Sequence, residues 1–187
     1  MACLPFTRAT TADVYLRVVD TAADHEDLAA RLDRVESELA IRRLVYEYCH
    51  GADKRDLARF AAIWDDEAVW APDLDHPFLG IDAICAAVKG QWEAFRQMHH
   101  LTANLVVTID GDRATGEADV DVCVQMPDGT WMRGGGTYRD VYVRRDGRWR
   151  IAYRDASPGY NIDPLPPGVG PPAEESLWTD GQRPTRS

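Results

Sequence analysis

The second half of the chain reads as four consecutive segments that alternate apolar and polar residues with period two: HHLTANLVVTID, RATGEADVDVCVQM, TWMRGGGTYRDVYVRR and RWRIAYRDAS. Between them lie DGD, PDG and RDG, the short Asp/Gly connections that suit hairpin turns. Four strands joined in this way form an antiparallel meander, whose apolar face must be covered by another layer. The first half supplies helices. Ile41, Leu44, Val45, Tyr48 and Ala52 recur on one helical face, in a pattern that tightens from about Leu32 and is expected to stop near Gly51. Residues 56–64 carry a second short helical pattern, EAVWAP reads as a strand halted by Pro72, and residues 81–98 fit a third helix. Helices first and a meander afterwards is an α+β layout, with the sheet curling around the helices.

Three consecutive glycines, Gly134 to Gly136, interrupt the third alternating segment. They are expected to mark a bulge or close backbone approach that lets a long strand bend; a loop is the alternative. Residues 1–30 are alanine-rich and acidic, and read as an N-terminal extension or helix lead-in. The domain is expected over 31–158, followed by a proline-rich C-terminal tail, 159–187, which cannot form helix or central strand.

A length of 187 residues with 45% hydrophobic side chains suits one core, and is too short for two ordinary enzyme domains. Thirty-one acidic against 21 basic side chains give a net charge of −10, which repels phosphate backbones and anionic lipid heads, so neither nucleic acid nor a membrane is an expected partner. No run approaches the roughly 20 apolar residues of a membrane helix, and the N-terminus lacks a basic start followed by an apolar stretch. The expected location is cytoplasmic. Cys3, Cys49, Cys85 and Cys123 are widely spaced without a C-x-x-C and read as reduced thiols.

Among the histidines, His25, His50 and His76 read as surface residues. His99 and His100 open a strand directly after a helix, where an imidazole can face the mouth of a cavity and act as a general base. Alternation groups His99 with Leu101, Leu105, Val107 and Ile109, and His100 with Thr102, Asn104, Val106 and Thr108. Periodicity does not say which set faces inward. Asp53, in GADKRD, follows the apolar face of the first long helix and on its own reads as a solvated helix-end charge. Tyr48 and Asp53 lie roughly 140° apart on an unbroken helix, so their convergence calls for a distortion near Gly51.

Tyr46, Tyr48, Phe60, Trp64, Trp70, Phe78, Trp92 and Phe95 surround these positions. Aromatics at such spacing usually form core, yet an apolar cavity among them would suit a cyclic hydrophobic ligand. Neither Asp73, Asp75 and His76 nor Asp119 and Asp121 has metal-ligand spacing, and no metal is expected. There is no G-x-G-x-x-G after a strand, no P-loop and no G-x-S-x-G.

The stretch LAIRRLVYEYCHGADKRDLARFAAIWDDEAVW, continued by MHHLTANLVV, DGDRATGEADV, GGGTYRDVYVRRDG and RWRIAYRD, resembles the SnoaL-like branch of the nuclear-transport-factor-2-like superfamily over residues 32–157. GADKRDLARFAAIWDDEAVW, H-x-x-x-N-L, GGTY and RRDG-x-W are similar to segments of the hexachlorocyclohexane dehydrochlorinases, with bile acid 7α-dehydratase and scytalone dehydratase more distant. The resemblance implies a cone-shaped α+β barrel, a curved, mostly antiparallel sheet wrapped around three N-terminal helices. It also implies a cofactor-independent lyase, a dehydratase or related β-eliminating enzyme acting on a cyclic hydrophobic small molecule.

Carried over residue by residue, the resemblance makes Asp53 and His100 an acid/base dyad, with His99 in reserve. Arg154 matches the arginine after the last-strand tryptophan, and Tyr48 stands where the dehydrochlorinases have a lysine. A phenol there favours an oxygen leaving group. Trp64, Trp70, Phe78, Trp92 and His99 are the expected substrate-binding residues. A homo-oligomer is implied, a trimer in preference to a dimer. An isomerase or polyketide-type cyclase using the same dyad, or a non-catalytic small-molecule-binding or accessory subunit, is the alternative.

Both candidates on the sheet carry a difficulty. Simple alternation sets Arg154 opposite Trp149 and Ile151, just as it sets His100 opposite Leu105 and Val107. Either the polar face lines the cavity while the apolar face packs on a partner subunit, or bulges change the register.

Overall fold

A computed structural model describes residues 21–157 and 159–162. The beginning of the expected extension, up to residue 20, and the proline-rich segment after 162 lie outside the described residues, as does Cys3. The chain divides into two compact units, residues 1–39 and 40–187.

In the first unit the described structure is the leading part of helix α1 (Thr21–Asp53), which starts well before the expected Leu32. Every residue from 27 to 36 is exposed.

The second unit holds the rest of α1, helix α2 (Leu57–Ala61), helix α3 (Gly80–Ala94) and a sheet of seven strands. The strands are β1 (Trp64–Ala71), β2 (Phe78–Leu79), β3 (Gln97–Asp110), β4 (Arg113–Gln125), β5 (Trp131–Arg145), β6 (Arg148–Asp155) and β7 (Gly159–Ile162). They run in the order β2-β1-β6-β5-β4-β3, with β7 paired to β5 beside β6. Pairing is antiparallel throughout except between β1 and β6. The order of elements is the expected one, three helices and then the meander. The sheet is curved and does not close, because β2 and β3 form its two ends.

The core joins Ile41, Tyr48, Cys49 and Ala52 of α1 and Ile84 and Val88 of α3 to Val120, Tyr138, Tyr142 and Ile151 of the sheet. The i, i+3, i+4 face of the long helix is therefore the buried one, as burial of apolar surface demands.

Gly51 does not end α1, which runs on to Asp53. Its role is proximity: a Cβ there would stand 2.8 Å from the backbone and Cβ of Phe60. Helix α2 can lie against the last turn of α1 only because that position has no side chain. Asp56 then caps α2, accepting the Arg59 amide at 3.0 Å.

Gly134–Gly136 make no bulge, since the β4–β5 register runs unbroken through them. Instead β7 pairs alongside, Gly134 with Asn161 and Gly136 with Gly159. The first residues of the expected tail thus add a strand to β5.

The register breaks lie elsewhere. One falls in β3 between Ala103 and Val106, where Asn104 adopts a left-handed φ of 55°. Another falls where β5 meets β6: Val141 pairs with Tyr153 but Tyr142 pairs with Ile151, leaving Ala152 as the extra residue. A third lies in β1 between Trp64 and Val69. The breaks in β3 and β6 each insert one residue and reverse the phase of the side chains beyond it, whereas in β1 Trp64 and Trp70 stay on the same buried side.

Candidate active site

The two phase reversals decide which side chains share the inner face of the sheet. On β3, Met98, His100 and Thr102 are half-buried while His99 and Leu101 are exposed; beyond Asn104 the half-buried set is Leu105, Val107 and Ile109. His100 and Leu105, placed on opposite faces by simple alternation, therefore lie on the same one. On β6, Trp149 and Ile151 are buried and, past Ala152, so is Arg154. Of the two explanations left open by the sequence, a polar-lined cavity or bulges, the bulges account for both residues. His99 falls on the opposite, exposed face, away from His100.

Asp53 ends α1 and meets the start of β3. Its Oδ2 accepts the His100 amide at 2.8 Å and its Oδ1 accepts Nδ1 of the same residue at 2.5 Å. The two side chains are only 13% and 10% exposed, so the pair is shielded from bulk water. A carboxylate bound to Nδ1–H fixes the tautomer that leaves Nε2 as the basic nitrogen, and it stabilises the imidazolium formed when Nε2 takes up a proton.

Two further contacts hold together the elements that carry Asp53 and His100. The Trp92 indole of α3 donates to the Ala52 carbonyl at 2.7 Å, filling an acceptor in the last turn of α1. Arg55, held at a left-handed φ of 54°, donates through Nη2 to the carbonyls of Phe95 and Arg96 at 2.9 and 3.1 Å. These contacts bridge the end of α1 to α3 and the connection that leads into β3. On the inner face the Cys49 thiol lies 3.4 Å from the Thr102 hydroxyl.

Helix α1 runs through both Tyr48 and Asp53 without a break. His100 lies between them, its ring centroid 6.0 Å from that of Tyr48 in an edge-on arrangement. Tyr48 is buried, and burial pushes its phenol up to about 12 despite the Arg154 guanidinium nearby.

Arg154 is fully buried. Its Nε and Nη2 donate to the two oxygens of Asp140 at 2.8 and 2.6 Å, and the Tyr142 hydroxyl donates to the same carboxylate at 2.6 Å. The guanidinium carbon lies 4.3 Å from the ring centres of both Tyr48 and Tyr138, a sandwich that favours the cation. Burial opposes the charge on Arg154, and Asp140 more than offsets it. Among the described residues Nη1 has no hydrogen-bond partner.

Residues 33–155 match the model of the SnoaL-like domain. The chain belongs to the SnoaL-like family. Among curated proteins it is 30% identical over 145 residues to the γ-hexachlorocyclohexane dehydrochlorinase of Sphingobium indicum, covering 73% of this chain and 93% of the relative. Among solved structures, a type 2 hexachlorocyclohexane dehydrochlorinase superposes with a TM-score of 0.69 at 26% identity, over 77% of this chain and 99% of its own. A type 3 enzyme from Novosphingobium barchaimii gives a TM-score of 0.68 at 28% identity, over 76% and 99% of the two chains. The SnoaL-like match thus takes in Tyr48, Asp53, His100 and Arg154.

The remaining residues singled out in the sequence have other surroundings. Trp64 and Trp70 are buried in a cluster of aromatic rings with Tyr48 and Phe60, centroids 5.4 to 6.3 Å apart, and half-buried Phe78 packs on Trp70 at 5.7 Å. These rings belong to the core of the SnoaL-like domain, and Trp92 spends its indole N–H on Ala52. Asp73 and His76 pair with each other at the surface, Asp119 bonds Asn104 and Thr137, and Asp121 bonds Arg133. Among the described residues no three His, Cys, Asp or Glu side chains cluster in a way that could hold a metal ion, and no helix is long and apolar enough to cross a membrane.

Sequence reasoning passed over Asp140, Tyr138, Tyr142 and Arg55. Asp140 left a readable trace: it is a carboxylate in YRDVYV at the same alternation phase as Tyr138 and Tyr142, and so committed to the inner face. Arg55 left none.

Proposed function

We propose that the protein is a cofactor-independent lyase that eliminates water, or a related oxygen leaving group, from a cyclic hydrophobic substrate. The observation that carries this reading is the double hydrogen bond from His100 to Asp53, which orients an imidazole with Nε2 directed away from the carboxylate in a water-poor position. Membership of a family whose curated relatives include dehydrochlorinases supports a β-elimination.

In the proposed reaction Nε2 of His100 removes a proton from carbon, the C–H electron pair becomes the new π bond, and the leaving oxygen departs with its own bond pair. Asp53 stabilises the imidazolium, which returns its proton to the departing hydroxide to complete a water molecule. Tyr48 is protonated at neutral pH, as a phenol ordinarily is, and burial moves its pKa further up, so its role is to donate a hydrogen bond to the leaving oxygen. Arg154 offers Nη1, unpaired among the described residues, as a donor for oxygen charge. A homo-oligomer, trimeric in preference to dimeric, belongs to the same reading.

The test is a screen of cyclic β-hydroxy ketones and related alcohols for loss of water, followed by His100→Ala and Asp53→Asn. The expected result is dehydration by the wild type and its loss in both variants with the fold retained. Near-normal turnover in either variant, or an isomer as sole product, would overturn the proposal.

A further inference from the structure

A helix segment exposed on all sides needs an explanation if it also carries an apolar stripe. From Asp27 to Glu36 no residue of α1 is buried. Yet Leu28, Leu32, Val35 and Leu39 are spaced 4, 3 and 4 residues apart, and they are 57%, 53%, 54% and 62% exposed. That is the spacing a coiled-coil seam uses, held here for less than two heptads, with Leu28 and Val35 at one type of seam position and Leu32 and Leu39 at the other. An isolated helix of this length is marginal in water, and four large aliphatic side chains left wet do nothing to hold it. Two of the four stripe residues, Leu28 and Leu32, precede the SnoaL-like match, which begins at residue 33.

The charges beside the seam indicate what covers it. Arg31 lies on one flank, immediately before Leu32, and Glu36 lies on the other, immediately after Val35. In two parallel, in-register copies these are the flanking positions that meet across the seam, so Arg31 of one copy faces Glu36 of the other, twice per pair of helices. Residues 27–39 hold four carboxylates and two arginines, which disfavours an anionic lipid surface as the partner.

We infer that residues 27–39 are a parallel self-association helix, pairing with the same segment of a second copy of this chain through Leu28, Leu32, Val35 and Leu39 and aligned by Arg31 and Glu36. The seam includes neither Asp53 nor His100, and the inference does not depend on the proposed reaction.

The test uses the full chain, with sedimentation velocity for mass and hydrogen exchange for protection of residues 27–39. Protection of those amides is expected to rise with protein concentration in step with a rise in mass. Leu32→Asp with Val35→Asp should abolish both while Ile41 to Ala52 stay protected. Arg31→Glu or Glu36→Arg alone should weaken association about 3- to 10-fold, and the two together should restore it. Protection of residues 27–39 that does not vary with concentration, as a segment of the same chain or a different partner would give, overturns the inference. So does failure of the charge swap to restore association, since an antiparallel pair does not bring Arg31 to Glu36.

Discussion

Asp53 accepts two hydrogen bonds from a single residue, the backbone amide and Nδ1 of His100, and so ties the end of α1 to the start of β3 in position and imidazole orientation at once. The two bonds serve different ends. The amide bond fixes where β3 begins relative to the helix, and the ring bond fixes which nitrogen is basic.

Asp53→Asn separates them. The amide oxygen of asparagine can still accept the His100 amide, but the negative charge that stabilises an imidazolium is gone. We expect kcat to fall about 10²- to 10⁴-fold, the range typical of positioned acid/base catalysis, with an unchanged far-ultraviolet circular dichroism spectrum. Steady-state kinetics on the substrate found by screening measures this.

The ion pair of Arg154 and Asp140 has both side chains essentially out of contact with water. Removing one member leaves a charge buried without its partner, which typically costs about 3–5 kcal/mol. Asp140→Ala is therefore expected to lower unfolding stability by about that amount in urea titrations. Asp140→Ala combined with Arg154→Met should cost less than the two single changes added together, because no orphan charge remains.

Tyr48 makes the protein sensitive to alkali. In the unfolded chain its phenol ionises near its ordinary value of 10.0, and in the folded protein only at about 12. Between those values the unfolded state releases the proton while the folded state keeps it, so the contribution to stability is complete below pH 10 and disappears as pH rises through 12. Two units correspond to roughly 2 to 3 kcal/mol. Tyr48→Phe should flatten, without abolishing, the fall in stability between pH 9 and pH 11.5, since burial raises Tyr138 and Tyr142 as well.

How far the sequence could be read follows from what periodicity carries. Ile41, Val45, Tyr48 and Ala52 announce their helix face, and the Asp/Gly turns announce the meander, because both are local patterns fixed by backbone geometry. Asp53 and His100 stand out through the family resemblance and not through spacing, since the contacts around them, Trp92 to Ala52 and Arg55 to Phe95, each join residues 40 apart in the chain. Alternation failed at Asn104 and Ala152 for a definite reason: one inserted residue inverts every later side chain, and a period-two count has no memory of it. A signal did exist on β3. Leu105, Val107 and Ile109 are out of phase with His100 and Thr102, and an asparagine, which tolerates left-handed φ, stands at the break.

The backbone at Asn104 limits which side chains that position tolerates. A left-handed φ of 55° is open to glycine without strain and is hostile to β-branched side chains. The Asn104 amide also donates to Asp119 at 2.9 Å, an exposed bond of small weight. Asn104→Gly should keep the bulge and hence the register of β3, at a cost within about 1 kcal/mol. Asn104→Val should cost about 1–3 kcal/mol, because either the strain is borne or the bulge is lost. If the bulge is lost, His100 and Leu105 can no longer share a face, so kcat should fall in the valine variant far more than in the glycine variant. Urea unfolding and steady-state rates measured side by side distinguish this from a surface substitution of no consequence, for which the two variants would behave alike.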